Sequence, residues 1–283
     1  MNETSDQLLG LAARIADLYG NKITVESLYG PDGSHLYHGI MRNDRAEIDD
    51  LLRLAAGRHP GPVLELACGT GRTVMPFLAE GYQVVGLDAS PHMLQRLAER
   101  LQEPEWQKYA NQLTTVERNM TDFALGERFD LIVLGMSTVW LLDEDQRSAL
   151  FRCVREHLTD DGRFLLTLQG TLKFEEDASP FERTHTFIAS DKTAPVLCTM
   201  IEYLDAREKI RLLSMVSHRV TNGEIAHSAI YTQRNHLISP ETLEKEVERA
   251  GMRLVERHEI SEETRVTRAA DEGRRRWILE IGI

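Results

Sequence analysis

Cysteine is scarce. The three in 283 residues, Cys68, Cys153 and Cys198, are odd in number, far apart and without CxxC or His pairing. Neither a disulfide framework nor a zinc site follows from them, and the pattern fits a reducing compartment. Basic residues are also in short supply, with 33 Lys and Arg against 45 Asp and Glu, a formal charge of −12 and a pI near 5.4. That balance argues against a nucleic-acid polyanion as the bulk partner, because such binding draws on clustered cations. No apolar run approaches the ~20 residues of a membrane-crossing helix. The start, Met1-Asn2-Glu3-Thr4-Ser5-Asp6, lacks the basic flank and apolar stretch of a signal peptide. A soluble, cytoplasmic protein with no membrane or nucleic-acid partner is expected. Internal repeats and low-complexity tracts are missing too. No metal is expected either, since His35 and His38 have suitable local spacing but no matching Cys, Asp or Glu constellation.

What the chain does have is a sequence of apolar runs separated by turn and cap signals. Leu8 to Tyr19 is spaced as one face of an amphipathic helix, a lid or packing helix ahead of the main core. Between residues 28 and 42, Gly30-Pro31 and Asp32-Gly33 mark turns, and Tyr29 and Tyr37 bracket a polar loop that could close over a ligand. Ile48 to Ala55 predicts a helix ending near Gly57, and Pro60-Gly61-Pro62 leads into a first strand, Val63 to Leu66. A crossover helix over residues 72–80, a second strand over 82–87, a helix over 91–102 behind Ser90-Pro91, and the strands Leu113 to Glu117 and Phe129 to Leu134 follow. Asp143 and Gln146 fit a capping box for a helix ending near Leu158, before a strand from Phe164 to Leu168.

Five strands alternating with helices predict an α/β, doubly wound, mostly parallel Rossmann-like sheet, seven-stranded once the later strands are added. The later strands are Arg253 to His258 and Trp277 to Ile283, with a helix behind Ser239-Pro240 before them and a mobile charged loop over 261–276 between them. From 171 to 236 the style changes to successive antiparallel strands, His185 to Ile188, Val196 to Leu204, Ile210 to Val220 and Ile225 to His236, placed as an extra sheet over the core. The expected organisation is an N-terminal helical lid over 1–58, a cofactor-binding core over 59–170, an antiparallel β insertion over 171–236 and the C-terminal part of the core over 237–283. The insertion offers either a substrate cap or a homodimer surface.

Strand, Gly69-Thr70-Gly71 turn, helix and a second strand ending in Asp88 make the first βαβ unit of a nucleotide-binding domain. A dinucleotide loop would carry a third glycine at position 74 for close packing around a pyrophosphate, and that position is Val74. A ligand without phosphates fits better. Three segments, Glu65-Leu66-Ala67-Cys68-Gly69-Thr70-Gly71-Arg72, Gly86-Leu87-Asp88-Ala89-Ser90-Pro91-His92-Met93-Leu94 and Phe129-Asp130-Leu131-Ile132-Val133-Leu134, resemble the class I S-adenosylmethionine-dependent methyltransferases in residues and spacing. The resemblance implies S-adenosyl-L-methionine as cofactor. It assigns Gly69 and Gly71, with Ala67 and Arg72 in the same loop, to the methionine part, Asp88 to both ribose hydroxyls, Ala89 and Met93 to the faces of the adenine, and the main chain of Met120 to its edge. Asn119 stands where the family often has Asp, and its amide oxygen would accept the adenine amino group. Glu65 either orders the loop by accepting backbone N–H groups, as its motif position implies, or is a charge at a strand end.

The segment after the fourth predicted strand, Gly135-Met136-Ser137-Thr138-Val139-Trp140, lies at the carboxyl end of the sheet, where such folds bind ligands. Met136 and Ser137 would border the cofactor, while Thr138 and Trp140 would face the substrate; Trp140 reads equally well as a core aromatic. Tyr29 and Tyr37 are further cofactor candidates. Leu28 to Tyr37, Phe151 to Leu158 and the long β insertion are similar to N-methyltransferases of glycopeptide antibiotics and of daptide-type ribosomal peptides. That likeness implies methylation of an amine on a peptide natural product. O-methylation of a small-molecule natural product and a non-catalytic cofactor-binding module stay open beside it. Among ten scattered histidines, His38, next to Tyr37, and His185, in the insertion, are the candidates for a general base.

Overall fold

Val63-Leu64-Glu65-Leu66 is buried at all four positions, which suits a strand covered on both faces. The computed structural model describes residues 8–57, 61–169, 179–190, 195–260 and 276–283. Its first elements are α1 (Gly10–Tyr19), β1 (Thr24–Ser27), α2 (Pro31–Met41), α3 (Ile48–Ala55), β2 (Val63–Leu66), α4 (Val74–Ala79), β3 (Val84–Asp88) and α5 (Pro91–Leu101). The middle of the chain forms β4 (Leu113–Glu117), β5 (Phe129–Leu134), α6 (Glu144–His157) and β6 (Leu158–Gln169). After these come β7 (Phe181–Ser190), β8 (Pro195–Asp205), β9 (Ile210–Thr221), β10 (Glu224–His236), α7 (Pro240–Arg249), β11 (Arg253–Glu259) and β12 (Arg276–Gly282). The loop expected over 261–276 lies outside the described residues except for Arg276, which starts β12. Among the described residues no helix is long and apolar enough to cross a membrane.

The chain divides into two compact units. One comprises Asn43–Leu172 with Ile238–Ile283 and holds the seven-stranded sheet, in the order β11-β12-β6-β5-β2-β3-β4. Strands β2 to β6 are parallel, and β12 runs antiparallel to both β6 and β11. The caps that the sequence predicts are present: Ser90 accepts the Met93 N–H, Asp143 and Gln146 form a reciprocal box, and Ser239 accepts the Thr242 N–H. Phe77, Leu78, Leu97 and Leu51 fill the core beside Val63, Val133 and Leu165.

The other unit comprises Met1–Arg42 with Lys173–Leu237 and holds a five-stranded sheet, β1-β10-β9-β8-β7. Its β7 to β10 form the antiparallel meander expected of the insertion, and β1, which the sequence reading did not find, joins parallel to β10. One sheet face carries Ile201, Val216 and Ile230 under Leu8 and Ala12, so the first helix is a packing helix of this sheet. The opposite face carries Cys198, Met215, Ala229 and Tyr231 under Leu28 and Leu36. Glu182 on β7 accepts the Leu11 N–H at 2.7 Å, satisfying a first-turn donor of α1 that its own residues leave open.

One expectation is corrected here. Residues 28–42 are not a polar loop: Gly30 is the extended residue before α2 and Pro31 its first helical residue, where a missing N–H costs nothing. Gly33 belongs to this helix because a Cβ there would lie 2.5 Å from the Ser27 carbonyl oxygen and 2.7 Å from that of Leu28. The Gly-Pro and Asp-Gly signals were therefore those of a helix start packed tightly on its own approach strand.

Candidate active site

Strand β2 ends in a loop with three left-handed residues, Ala67 (φ 50°), Gly69 (φ 53°) and Gly71 (φ 81°). Each glycine has a different reason to be there. A Cβ on Gly71 would meet Leu97 Cδ1 at 2.4 Å, so this glycine lets α5 close on the loop. Around a Cβ on Gly69, the nearest atom would be the Ala67 carbonyl oxygen at 4.0 Å, so that side of the loop is open for a ligand. Asp88, at the end of β3, clamps the loop: Oδ2 accepts the Gly69 N–H at 2.8 Å and Oδ1 the Ser90 N–H at 2.8 Å. Burial raises the Asp88 pKa, while the N–H groups of Ser90, Gly69 and Ala89 pull it down. Each carboxylate oxygen keeps a further acceptor site. Gly86 provides room below, where Cys68 Sγ would lie 3.0 Å from an added Cβ.

Glu65 is buried, and its Oε2 has no hydrogen-bond partner among the described residues. Burial pushes its carboxyl up to about 8; Arg72 and a bond from Thr73 pull the other way, and the charges of Glu47 and Asp88 push it further up. A buried carboxyl with an unsatisfied oxygen costs free energy unless a cation or donor arrives.

The sequence reading missed Glu47. It is 3% exposed, takes a left-handed φ of 66°, and its Oε1 accepts both Arg72 at 2.5 Å and the Met136 N–H at 2.7 Å. Arg72 also donates to the Ala46 carbonyl at 2.9 Å. Its guanidinium is thus directed to protein groups, and what it supplies to the expected cofactor loop is position. A Cβ on Gly135 would stand 3.0 Å from Glu47 Oε1, so that glycine admits the brace. No local signal marks Glu47, because its partners lie 25 and 89 residues away.

Past β5, Met136 (φ 57°) and Ser137 (φ 54°) are two successive left-handed residues without being glycine, a strained turn held by its surroundings. Ser137 N–H donates to Thr167 Oγ1 at 3.2 Å and Ser137 Oγ accepts the Gln169 N–H at 2.7 Å. Thr138 Oγ1 donates back to the Gly135 carbonyl at 2.6 Å, and the Thr138–Leu141 turn is closed by Arg147, which donates to the Leu142 carbonyl at 2.7 Å and pairs in two bonds with Glu246. Trp140 is buried, as a core aromatic would be, yet its Nε1–H has no hydrogen-bond partner among the described residues.

Two residues expected at the adenine have close protein neighbours. Met93 is 1% exposed, so it is packed inside the unit while the neighbouring Ala89 is exposed. The Asn119 amide oxygen already accepts the Thr121 N–H at 3.0 Å and the Thr121 hydroxyl at 2.9 Å, which fills both its lone pairs. Met120 is buried beside it.

The remaining candidates lie in the five-stranded unit. Tyr29 and Tyr37 are brought together edge to face, ring centres 6.0 Å apart. His38 is half-buried on α2; His185 is exposed on the edge strand β7, stacked on Phe187. Among the described residues Glu256, His258 and Glu280 group their ligand-type atoms within 4.8 Å, a cluster hidden from local spacing. His258 Nε2 lies 3.0 Å from Glu280, which also faces Arg163 at 3.2 Å, so the group reads as an ion-pair network of β11, β12 and β6.

The open loop side at Gly69, the clamped Asp88 and the unsatisfied Glu65 fit a ligand that brings hydroxyls and positive charge to the carboxyl ends of β2 and β3. Residues 63–162 match the family described as a methyltransferase domain. Over 157 residues, 53% of this chain and 58% of the relative, the chain is 29% identical to a dTDP-4-amino-2,3,4,6-tetradeoxy-D-glucose N,N-dimethyltransferase of Saccharopolyspora spinosa. It is 28% identical to a cypemycin N-terminal methyltransferase of a Streptomyces species over 114 residues, 40% of this chain and 44% of that one. The chain thus spans about half the length of these curated relatives. The fold is shared with the glycopeptide N-methyltransferase MtfA solved with sinefungin, at TM-score 0.64 and 22% identity over 98% of both chains; MtfA has also been solved with S-adenosyl-L-methionine.

Proposed function

We propose that this chain, a class I S-adenosylmethionine-dependent methyltransferase in fold and, over residues 63–162, in sequence, methylates an amine of a natural product. The observation that carries the reading is the Gly69–Asp88 clamp at 2.8 Å beside an unobstructed loop face, with Glu65 buried and short of a partner. When bound, S-adenosyl-L-methionine supplies an electrophilic methyl group on a sulfonium. Asp88 would accept the ribose hydroxyls with its remaining lone pairs, and the main chain around Gly69 and Gly71 would border the methionine part. Glu65 would meet positive charge and become a carboxylate. The strained turn at Met136 and Ser137, braced by Glu47, would hold its main chain against the cofactor.

For the acceptor, a peptide amine is our reading, supported by the likeness to the cypemycin and glycopeptide enzymes. An amino-sugar amine is the second, favoured by the match to the dTDP-amino-sugar dimethyltransferase. Alignment of an amine with the methyl group supplies up to roughly 7–11 kcal/mol in ideal cases, so a strong base is not required, only a route for one proton. His38 and His185 are the proposed candidates for that route. Incubation of an amine-bearing peptide, and separately of a dTDP-amino sugar, with S-adenosyl-L-methionine should give methyl additions by mass spectrometry. Transfer to hydroxyls alone, or none to either class, overturns the proposal.

A further inference from the structure

Between β4 and β5 the chain has little of its own to hold it in place. Over residues 118–125 only Met120 and Phe123 are buried, while Arg118, Asn119, Asp122 and Ala124 are exposed. The stretch starts beside the glycine loop, because the Arg118 N–H donates to the Asp88 carbonyl at 3.1 Å, and Asn119 and Met120 follow directly. A turn closes it on itself, with the Asp122 N–H on the Asn119 carbonyl at 2.9 Å. Neither bond fixes its far end.

That end is held by α6. Cys153 and His157 stand one turn apart on the helix, and both face this segment. The Leu125 N–H lies 3.0 Å from His157 Nε2, and His157 Nδ1 lies 2.7 Å from the Cys153 carbonyl oxygen. An amide N–H only donates and a carbonyl only accepts, so the ring proton sits on Nδ1 and Nε2 is the acceptor. Two main-chain groups thus fix the tautomer and orientation of the imidazole. The Phe123 ring packs on it with ring centres 4.5 Å apart, and the Cys153 thiol reaches the Thr121 carbonyl at 3.5 Å. His157 is 5% exposed. An apolar ring at this position would still pack on Phe123 but would leave the Leu125 N–H without its acceptor.

We propose that His157 is a positioning residue for the base end of the cofactor: through Leu125 and Phe123 it sets where Asn119 and Met120 stand relative to Asp88. It touches no ligand itself. The inference rests on the S-adenosylmethionine-dependent reading and on the placement of adenine against Asn119 and Met120 that the sequence motifs imply. A segment with few buried side chains must be ordered when a ligand binds, and fixing it beforehand removes that cost. Loss of the tie therefore acts on affinity for the nucleoside.

The test uses the full chain and two measurements. One is calorimetry with S-adenosyl-L-homocysteine and with 5′-methylthioadenosine, which keeps the nucleoside and lacks the amino-acid part; the other is hydrogen exchange of the Leu125 amide without ligand. His157→Phe should speed that exchange and weaken both ligands by the same factor, about tenfold. His157→Gln, whose amide oxygen can take the place of Nε2, should bind both within about twofold of wild type. Val154→Ala, a buried change on the same helix, should lower stability and leave both affinities unchanged. If His157→Phe does not fold, His157→Asn, too short to reach Leu125, replaces it. Wild-type affinity in His157→Phe overturns the proposal, as does equal loss in Val154→Ala or His157→Gln. Weaker S-adenosyl-L-homocysteine binding with 5′-methylthioadenosine unchanged overturns it too, since the effect would then lie at the methionine end. Binding of neither ligand by wild type removes the cofactor reading itself, and the proposal with it.

Discussion

The two sheets place their polar groups in opposite ways. In the seven-stranded sheet, β2 and β3 are buried at every position, and the polar groups of interest sit where β2, β3 and β5 end, on loops bent by Ala67, Gly69, Gly71, Met136 and Ser137. In the five-stranded sheet polar side chains stand on the strands themselves: Ser217, Arg219, His227 and Tyr231 of β9 and β10 line a depression beside α2. A parallel sheet covered on both faces has no free surface for function, so its loops must carry it. An antiparallel sheet with a partly covered face can carry polar groups on its strand surface.

The strongest way to break this contrast is through two buried ion pairs, one taken from each unit. Glu47 holds Arg72 and the Met136 N–H at the loops; Glu202 holds Arg211 between β8 and β9, and Arg211 also reaches Asn235 at 3.1 Å. Removing one partner leaves a buried charge uncompensated, which costs about 3–5 kcal/mol. Glu47→Ala and Glu202→Ala should both lose stability of this order in urea denaturation. Only Glu47→Ala should also weaken S-adenosyl-L-methionine binding, by tenfold or more under conditions where the variant remains folded, because only Glu47 ties the glycine loop to the turn after β5. Equal loss of cofactor affinity in Glu202→Ala would remove the distinction between the sheets.

The same contrast explains what was legible in the sequence. Glu65 to Arg72 and Asp88 to Met93 are contiguous segments whose local geometry carries their role, so strands, caps, loop and cofactor class could be read directly. Glu47 acts through residues 25 and 89 positions away. Arg219 and His227 face each other only through a shifted register. Periodicity carries no record of such pairings. Residues 28–42 misled for a different reason: Gly, Pro and Asp serve turns and helix starts alike, and tertiary packing on Ser27 and Leu28 decides between them. The bonds of Asn119 to its own neighbour, Thr121, were not legible either.

Glu65 gives the next-largest effect and sharpens the picture of a loop prepared for positive charge. An unfolded carboxyl near the model-peptide value of ~4.3 loses its proton well before the folded one, which titrates at about 8. The stability that the protonated group contributes is therefore complete below the unfolded value and is lost as pH rises through about 8. Glu65→Gln mimics the neutral form at every pH. Its stability should match wild type below about pH 4 and exceed it increasingly toward pH 8, by up to about 5 kcal/mol for a shift of this order. Cofactor binding near pH 7 should release a proton from wild type and not from Glu65→Gln, read by calorimetry in buffers of different ionisation enthalpy. Parallel stability profiles with equal proton release would show that Glu65 does not titrate in this range.

The smallest effect separates two acceptors on the same side of the sheet. Asp88 is ionisable, clamps two N–H groups at 2.8 Å and keeps lone pairs for a ligand, whereas the Asn119 oxygen already serves Thr121 twice. Hydrogen bonds to charged groups are worth about 1.5–3 kcal/mol, and neutral ones about 1. Asp88→Ala should therefore lower S-adenosyl-L-methionine affinity by about 1–3 kcal/mol, on the order of ten- to a hundredfold. Asn119→Ala should lower it by less than about 1 kcal/mol, mainly through the loss of the turn at Thr121. Isothermal titration of both variants beside wild type decides the matter. If Asn119→Ala costs as much as Asp88→Ala, then Thr121 must release the amide when the cofactor binds, and the adenine amino group regains Asn119 as its partner.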